Sequence, residues 1–137
     1  MFGVVLTSAI LVAAARADFC LEHAPAGAVD GCSIPLDLPF FFKDYFTSAC
    51  NKHDVCYDCA SHFGHDRSYC DHTFHNNLNA MCNHMSKRFL FSAASVNKVE
   101  CKAAALTYYE AVHLGAASHF RNQSVSYCRE SWVRSCV

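Results

Sequence analysis

Residues 49–60 read ACNKHDVCYDCA, with three cysteines, one histidine and two aspartates in twelve positions. Cys50, His53, Cys56 and Cys59 recur at every third residue, a spacing that gathers them near one face of a helix. Soft donors at that spacing admit a zinc site. They equally suit a disulfide-stapled helix or the catalytic helix of a hydrolase. The surrounding chain decides among the three.

Residues 1–17, MFGVVLTSAILVAAARA, form an apolar run that ends in a small-x-small pattern, Ala15-Arg16-Ala17. The run is shorter than the roughly 20 residues that span a bilayer. It reads as a signal peptide removed before Asp18, and the expected location is extracellular. Residues 18–137 read as one small domain. All ten cysteines lie in it. An even number of cysteines in an oxidising compartment reads as a disulfide framework rather than a set of metal ligands. Secretion therefore argues against zinc, and so does geometry, because one helix face cannot by itself wrap a tetrahedral ion.

Charge narrows the partners. Loss of Arg16 leaves ten Lys and Arg against twelve Asp and Glu, a net charge near −2. No basic run interleaves with aromatic residues, so nucleic acid is not an expected partner, and attraction to a strongly anionic membrane would be weak. Nine histidines leave the charge near pH 6 open. Most of them, His113 included, read as surface residues.

All three prolines fall within residues 18–49, which otherwise lack helical periodicity and read as loop. Helices are expected over residues 49–63, 67–88 and 95–113. Cys70, Phe74, Leu78, Met81, Cys82 and Met85 recur at threes and fours and mark the buried stripe of the second. Val99, Ala103, Leu106 and Val112 are assigned to the buried side of the third, with Gly115 as its stop. The last fifteen residues are ambiguous. Only Gly64-His65-Asp66 separates the first two helices, so they should run antiparallel.

His53 and Asp54 have chemistry of their own. A histidine can take a proton from water when a carboxylate holds its other ring nitrogen. The adjacent aspartate projects about a third of a turn away and can offer oxygen to a hard cation. Cys70-Asp71 supplies a second cysteine and carboxylate on the next helix.

The stretch CNKHDVCY at 50–57 is similar to the C-x-x-H-D-x-C-Y signature of secreted phospholipases A2, and Cys70-Asp71 resembles that family's second-helix Cys-Asp. Residues 31–59, GCSIPLDLPFFFKDYFTSACNKHDVCYDC, resemble more closely the conodipines, venom phospholipases A2 of cone snails. The resemblance covers residues 31–82. It implies a mainly α, disulfide-rich fold with an antiparallel pair of catalytic helices and an N-terminal calcium loop. It implies His53 as general base, Asp71 as the carboxylate that holds its ring, Tyr57 as support for Asp71, and Asp54 as a Ca²⁺ ligand. It implies bridges Cys32–Cys50 and Cys56–Cys70, the second of which would bring Asp71 to His53. The implied reaction is Ca²⁺-dependent hydrolysis of the sn-2 ester of a glycerophospholipid at a membrane or micelle surface.

The chain departs from the animal pattern in lacking a glycine-rich calcium loop and the paired cysteines before the histidine motif. Pro35-Leu-Asp-Leu-Pro39 looks instead like the microbial branch, which makes Asp37 and the Leu38 carbonyl further candidate Ca²⁺ ligands. Phe40, Phe41, Phe42, Tyr45 and Phe46 read either as core beneath that loop or as an apolar collar for lipid. Conodipines are two-chain proteins, so Lys87-Arg88 is a candidate cleavage point that would leave two disulfide-linked chains. Asn122-Gln123-Ser124 is a glycosylation acceptor sequence. The rival function is a non-catalytic toxin or binding protein on the same scaffold.

Overall fold

The computed structural model describes residues 18–33, 40–85 and 98–137. The signal-peptide reading, Asp37 and Leu38, and the Lys87-Arg88 pair lie outside the described residues. Among the described residues five helices carry the architecture: α1 (Phe19–His23), α2 (Phe40–Tyr45), α3 (Thr47–Cys59), α4 (Arg67–Asn83) and α5 (Lys98–Gly115). Four 3₁₀ turns accompany them, at Ala60–Phe63, Ala117–His119, Ser126–Arg129 and Ser131–Cys136. No strand occurs among the described residues.

Helix α3 is the central element. Eight of its thirteen residues are buried, Ala49, Cys50, Asn51, His53, Val55, Cys56, Tyr57 and Cys59. It is covered on one side by α4 and on the other by α1 and the C-terminal turns, so no single stripe on it is apolar. It runs on into the turn at Ala60–Phe63, where Gly64 takes φ +76°. A left-handed residue at that point lets His65 N–H return to the Ala60 carbonyl at 2.9 Å and ends the helix. Asp66 then caps α4 by accepting from Tyr69 N–H at 2.8 Å.

The reversal sets α4 antiparallel to α3: Cys56 meets Cys70, His53 meets Asp71, and Tyr45 donates to the Met81 carbonyl. Helix α5 returns antiparallel to α4, joined at one end by Cys82–Cys101 and at the other by Arg67 and His113. Between α2, α3, α4 and α5 sits the larger core, with Phe42, Phe46, Phe74, Leu78, Ala105 and Tyr108. Phe46 and Tyr108 meet edge to face with centroids 5.3 Å apart, the arrangement that ring quadrupoles favour. A smaller core of Cys20, Val55, Cys59, Cys128, Val133 and Cys136 holds the C-terminal turns against α1 and α3.

Every cysteine is paired, as Cys20–Cys136, Cys32–Cys50, Cys56–Cys70, Cys59–Cys128 and Cys82–Cys101. With Cys50, Cys56 and Cys59 oxidised, the opening stretch has no thiolate to give a zinc ion.

Four expectations need correction. The helix expected over residues 67–88 ends at Asn83, with His84 and Met85 outside it. Residues 18–49 are not all loop, because α1 and α2 lie within them. Asp18 caps α1, accepting from Leu21 N–H, and tertiary packing of Cys20 supplies what periodicity did not. The helix expected over residues 49–63 begins at Thr47 and tightens to 3₁₀ geometry after Cys59. On α5 the buried stripe is Cys101, Ala105, Tyr108 and Val112, whereas Val99, Ala103 and Leu106 are exposed. Two apolar stripes compete on that helix, and the Cys82–Cys101 bridge selects the one that includes Cys101.

Candidate active site

Helix α3 presents His53, Asp54 and Tyr57, and α4 presents Asp71. His53 is 7% exposed and Asp71 fully buried. His53 Nε2 lies 2.8 Å from Asp71 Oδ1, and Tyr57 donates its hydroxyl to the same oxygen at 2.6 Å. The Cys56–Cys70 bridge, one residue before Tyr57 and one before Asp71, fixes the two helices at this level. The His53 ring is also packed between Tyr57 and Phe74, at centroid distances of 4.1 and 4.7 Å.

Burial by itself raises the Asp71 carboxyl, but the hydrogen bonds from His53 and Tyr57 and the adjacent histidine charge outweigh it. The group is held below the usual carboxylate range. An ionised carboxylate only accepts, so the proton between the partners belongs to His53 Nε2. That fixes the tautomer and leaves the Nδ1 lone pair free to act as a base. Burial, then the hydrogen bond to Asp71, pushes the Tyr57 phenol up, which keeps it protonated and donating.

Asp54 lies in the opposite electrostatic situation. It accepts the Asp30 N–H at Oδ2, 3.2 Å. Burial pushes its carboxyl up to about 8, the Asp30 N–H opposes this, and the charges of Asp30 and Asp58 add to the rise. Asn51, fully buried, pins the same loop: Gly31 N–H donates to its Oδ1 at 2.8 Å, while its Nδ2 donates to Asp18 at 2.7 Å.

A carboxylate starved of donors beside two further acids fits a hard divalent cation, which needs oxygen ligands and supplies the missing positive charge. Among the described residues no group of three or more His, Cys, Asp or Glu side chains forms a ready-made cage. An ion at Asp54 would need further oxygens, which carbonyls, water and candidates outside the described residues can supply.

His53, Asp54 and Tyr57 line a cleft of about 1070 Å³. Gly31 and Cys32 also line it, as do Val112 and Leu114 of α5 and Phe120, Arg121 and Asn122 beyond it. A cleft lined by both acidic and apolar side chains suits an amphiphilic ligand. Asp58 anchors the segment beyond α5, accepting from Arg121 Nε at 3.2 Å and from the Tyr127 hydroxyl at 2.7 Å.

Of the aromatic group, Phe42 and Phe46 are buried in the core and Tyr45 is half-buried. These three belong to the core and not to a lipid collar, and the side chains of Phe40 and Phe41 lie outside the described residues. Arg67, Asn51, Asp30 and His113 were not singled out in the sequence as site residues. Arg67 had a signal, standing four residues before Asp71 on one helix face. His113 had none, because only the docking of α5 brings it to the site.

A family model described as group XII secretory phospholipase A2 precursor matches residues 15–133. Conodipine-P3 of Conus purpurascens is 40% identical over 72 residues, 53% of this chain and 36% of the relative. The chain thus spans about a third of that relative's length. The Conodipine-M alpha chain of Conus magus is 38% identical over 56 residues, 40% of this chain and 70% of the relative. No solved structure matches. With the model match spanning both helices of the His53–Asp71 pair, the chain belongs to the group XII secretory phospholipase A2 family.

Proposed function

We propose that the chain is a phospholipase A2 that hydrolyses the sn-2 ester of glycerophospholipids with Ca²⁺ as cofactor. The observation that carries this reading is the 2.8 Å contact between His53 Nε2 and buried Asp71, with His53 and Asp54 lining one cleft. Asp54 would hold the ion, with Asp37 and the Leu38 carbonyl as further candidates outside the described residues. When bound, Ca²⁺ supplies Lewis-acid polarisation of the ester carbonyl and countercharge for the phosphate.

His53 Nδ1 takes the proton of a water whose oxygen attacks the sn-2 carbonyl. Asp71 stabilises the imidazolium, and Tyr57 keeps Asp71 in line. The proton on Nδ1 then passes to the departing alkoxide, giving a lysophospholipid and a fatty acid. The apolar lining at Val112, Leu114 and Phe120 receives acyl chain and excludes water.

On this reading the protein is exported, acts at a phospholipid surface and serves as a venom component. Five disulfides among ten cysteines support the oxidising compartment. Cutting at Lys87-Arg88 would leave two chains held by Cys20–Cys136, Cys59–Cys128 and Cys82–Cys101. A natural sample would then run as one band unreduced and as two after reduction.

The test is release of sn-2 fatty acid from phosphatidylcholine vesicles by oxidised protein, first with excess Ca²⁺ and then with chelator. Release that stops with chelator is the expected outcome. No release in either condition would overturn the enzyme reading.

A further inference from the structure

We propose that Arg67 and His113 are positioning residues for the active-site carboxylate, locking the second oxygen of Asp71 from the α4–α5 side. The inference rests on the reading of His53–Asp71 as the catalytic pair. Asp71 Oδ1 is occupied by His53 and Tyr57, both from α3. Asp71 Oδ2 faces away from that pair and receives two other groups. Arg67 Nη1 approaches it at 3.3 Å from one turn earlier on α4, and His113 Nδ1 at 3.3 Å from the last turn of α5. Because the carboxylate only accepts, His113 must donate through Nδ1 whether its ring is neutral or charged.

The need for these donors comes from burial. Asp71 is 0% exposed, and a buried ionised carboxylate with one oxygen unsatisfied carries a desolvation penalty. With Oδ1 alone held, the carboxylate could also turn about its Cβ–Cγ bond and carry the His53 ring with it. Donors on Oδ2 prevent that rotation. The clamp is itself cross-braced: the same Arg67 Nη1 donates to the His113 carbonyl at 3.0 Å, and the His113 ring stacks on Tyr109. One guanidinium thus joins α4, α5 and the carboxylate.

The clamp also sets the charge that His53 meets. The titratable and charged groups at Asp71 are His53 and Tyr57 from α3, Arg67 from α4 and His113 from α5. Arg67 brings a permanent positive charge, which partly cancels the field that favours imidazolium.

The test uses the full, oxidised chain with Arg67→Met, Arg67→Lys and His113→Gln. Two quantities are read: kcat and KM on phosphatidylcholine vesicles, and the NMR resonance of the His53 Nε2 proton bonded to Asp71, which needs no turnover. Arg67→Met should lower kcat by about tenfold with KM little changed. It should also shift or broaden that resonance as Asp71 loses its anchor. Arg67→Lys should recover most of both, and His113→Gln should lower kcat without an equal loss in KM. An unmoved resonance, or an unchanged kcat in both Arg67→Met and His113→Gln, would overturn the proposal. If the wild type hydrolyses nothing, the resonance decides alone: a shift sustains the clamp while the enzyme reading falls, and no shift removes the clamp too. His113 is partly exposed, so its variant remains informative if Arg67→Met does not fold.

Discussion

Asp71 and Asp54 stand on neighbouring helices near the same histidine, and their surroundings differ in one respect. Asp71 is the more deeply buried, yet four donors converge on it and hold its carboxyl low. Asp54 keeps more exposure but receives one backbone N–H amid two other acids, and its carboxyl rises to about 8. Burial alone does not set the charge of a carboxylate; the donors that accompany burial do. Titratable neighbours pushed in opposite directions are characteristic of a site with divided roles. On the proposed reading the saturated carboxylate would orient a base, and the starved one would hold a cation.

The comparison can be broken at its centre. His53→Gln should lower kcat by roughly 10²–10⁴-fold, with disulfides and helix content unchanged by mass and circular dichroism. Full activity in that variant would remove the base from His53 and the meaning from Asp71.

The Asp54 half is broken by pH. Its folded-state carboxyl binds a proton more tightly than the unfolded chain's ordinary group near 3.8, so unfolding releases a proton between those values. With chelator present, its stabilising contribution is full below about pH 4 and lost as pH rises through about 8. The melting temperature should show that decline, Ca²⁺ should reduce it, and Asp54→Asn should lack it together with the Ca²⁺ response. Equal Ca²⁺ stabilisation of Asp54→Asn would place the ion elsewhere.

Disulfides sharpen the contrast between holding the fold and holding the site. Cys20–Cys136 spans 116 residues, and its double Ala variant should lose about 2–5 kcal/mol in denaturant unfolding while keeping kcat. Cys56–Cys70 spans 14 residues and should cost less stability but lower kcat, because it lies beside both helices of the pair. The smallest effect is expected from Tyr57→Phe. Loss of one hydrogen bond to a charged group, about 1.5 kcal/mol, corresponds to about tenfold in kcat.

Much of this site is legible in one dimension because it is built on helical spacing. His53, Asp54, Cys56 and Tyr57 occupy little more than one turn, and Cys70-Asp71 begins the next helix after a short reversal marked by Gly64. The α5 side was not legible in that way. Its Val99–Leu106 stripe is as apolar in sequence as the stripe that is buried, and nothing local separates the two. Asn51 likewise reads as an ordinary polar helix residue until Gly31 and Asp18 are seen on its amide.

By itself the sequence determined the paired-cysteine, mainly helical class and the short-range group His53, Asp54, Tyr57 and Asp71, since periodicity and motif spacing are properties of the chain. Only the tertiary structure decided which face of α5 is buried, how the six cysteines beyond Cys32–Cys50 and Cys56–Cys70 pair, and that Arg67 and His113 converge on Asp71. Those outcomes depend on contacts between residues as many as 116 positions apart, and the free energy of such contacts exists only once the helices have packed.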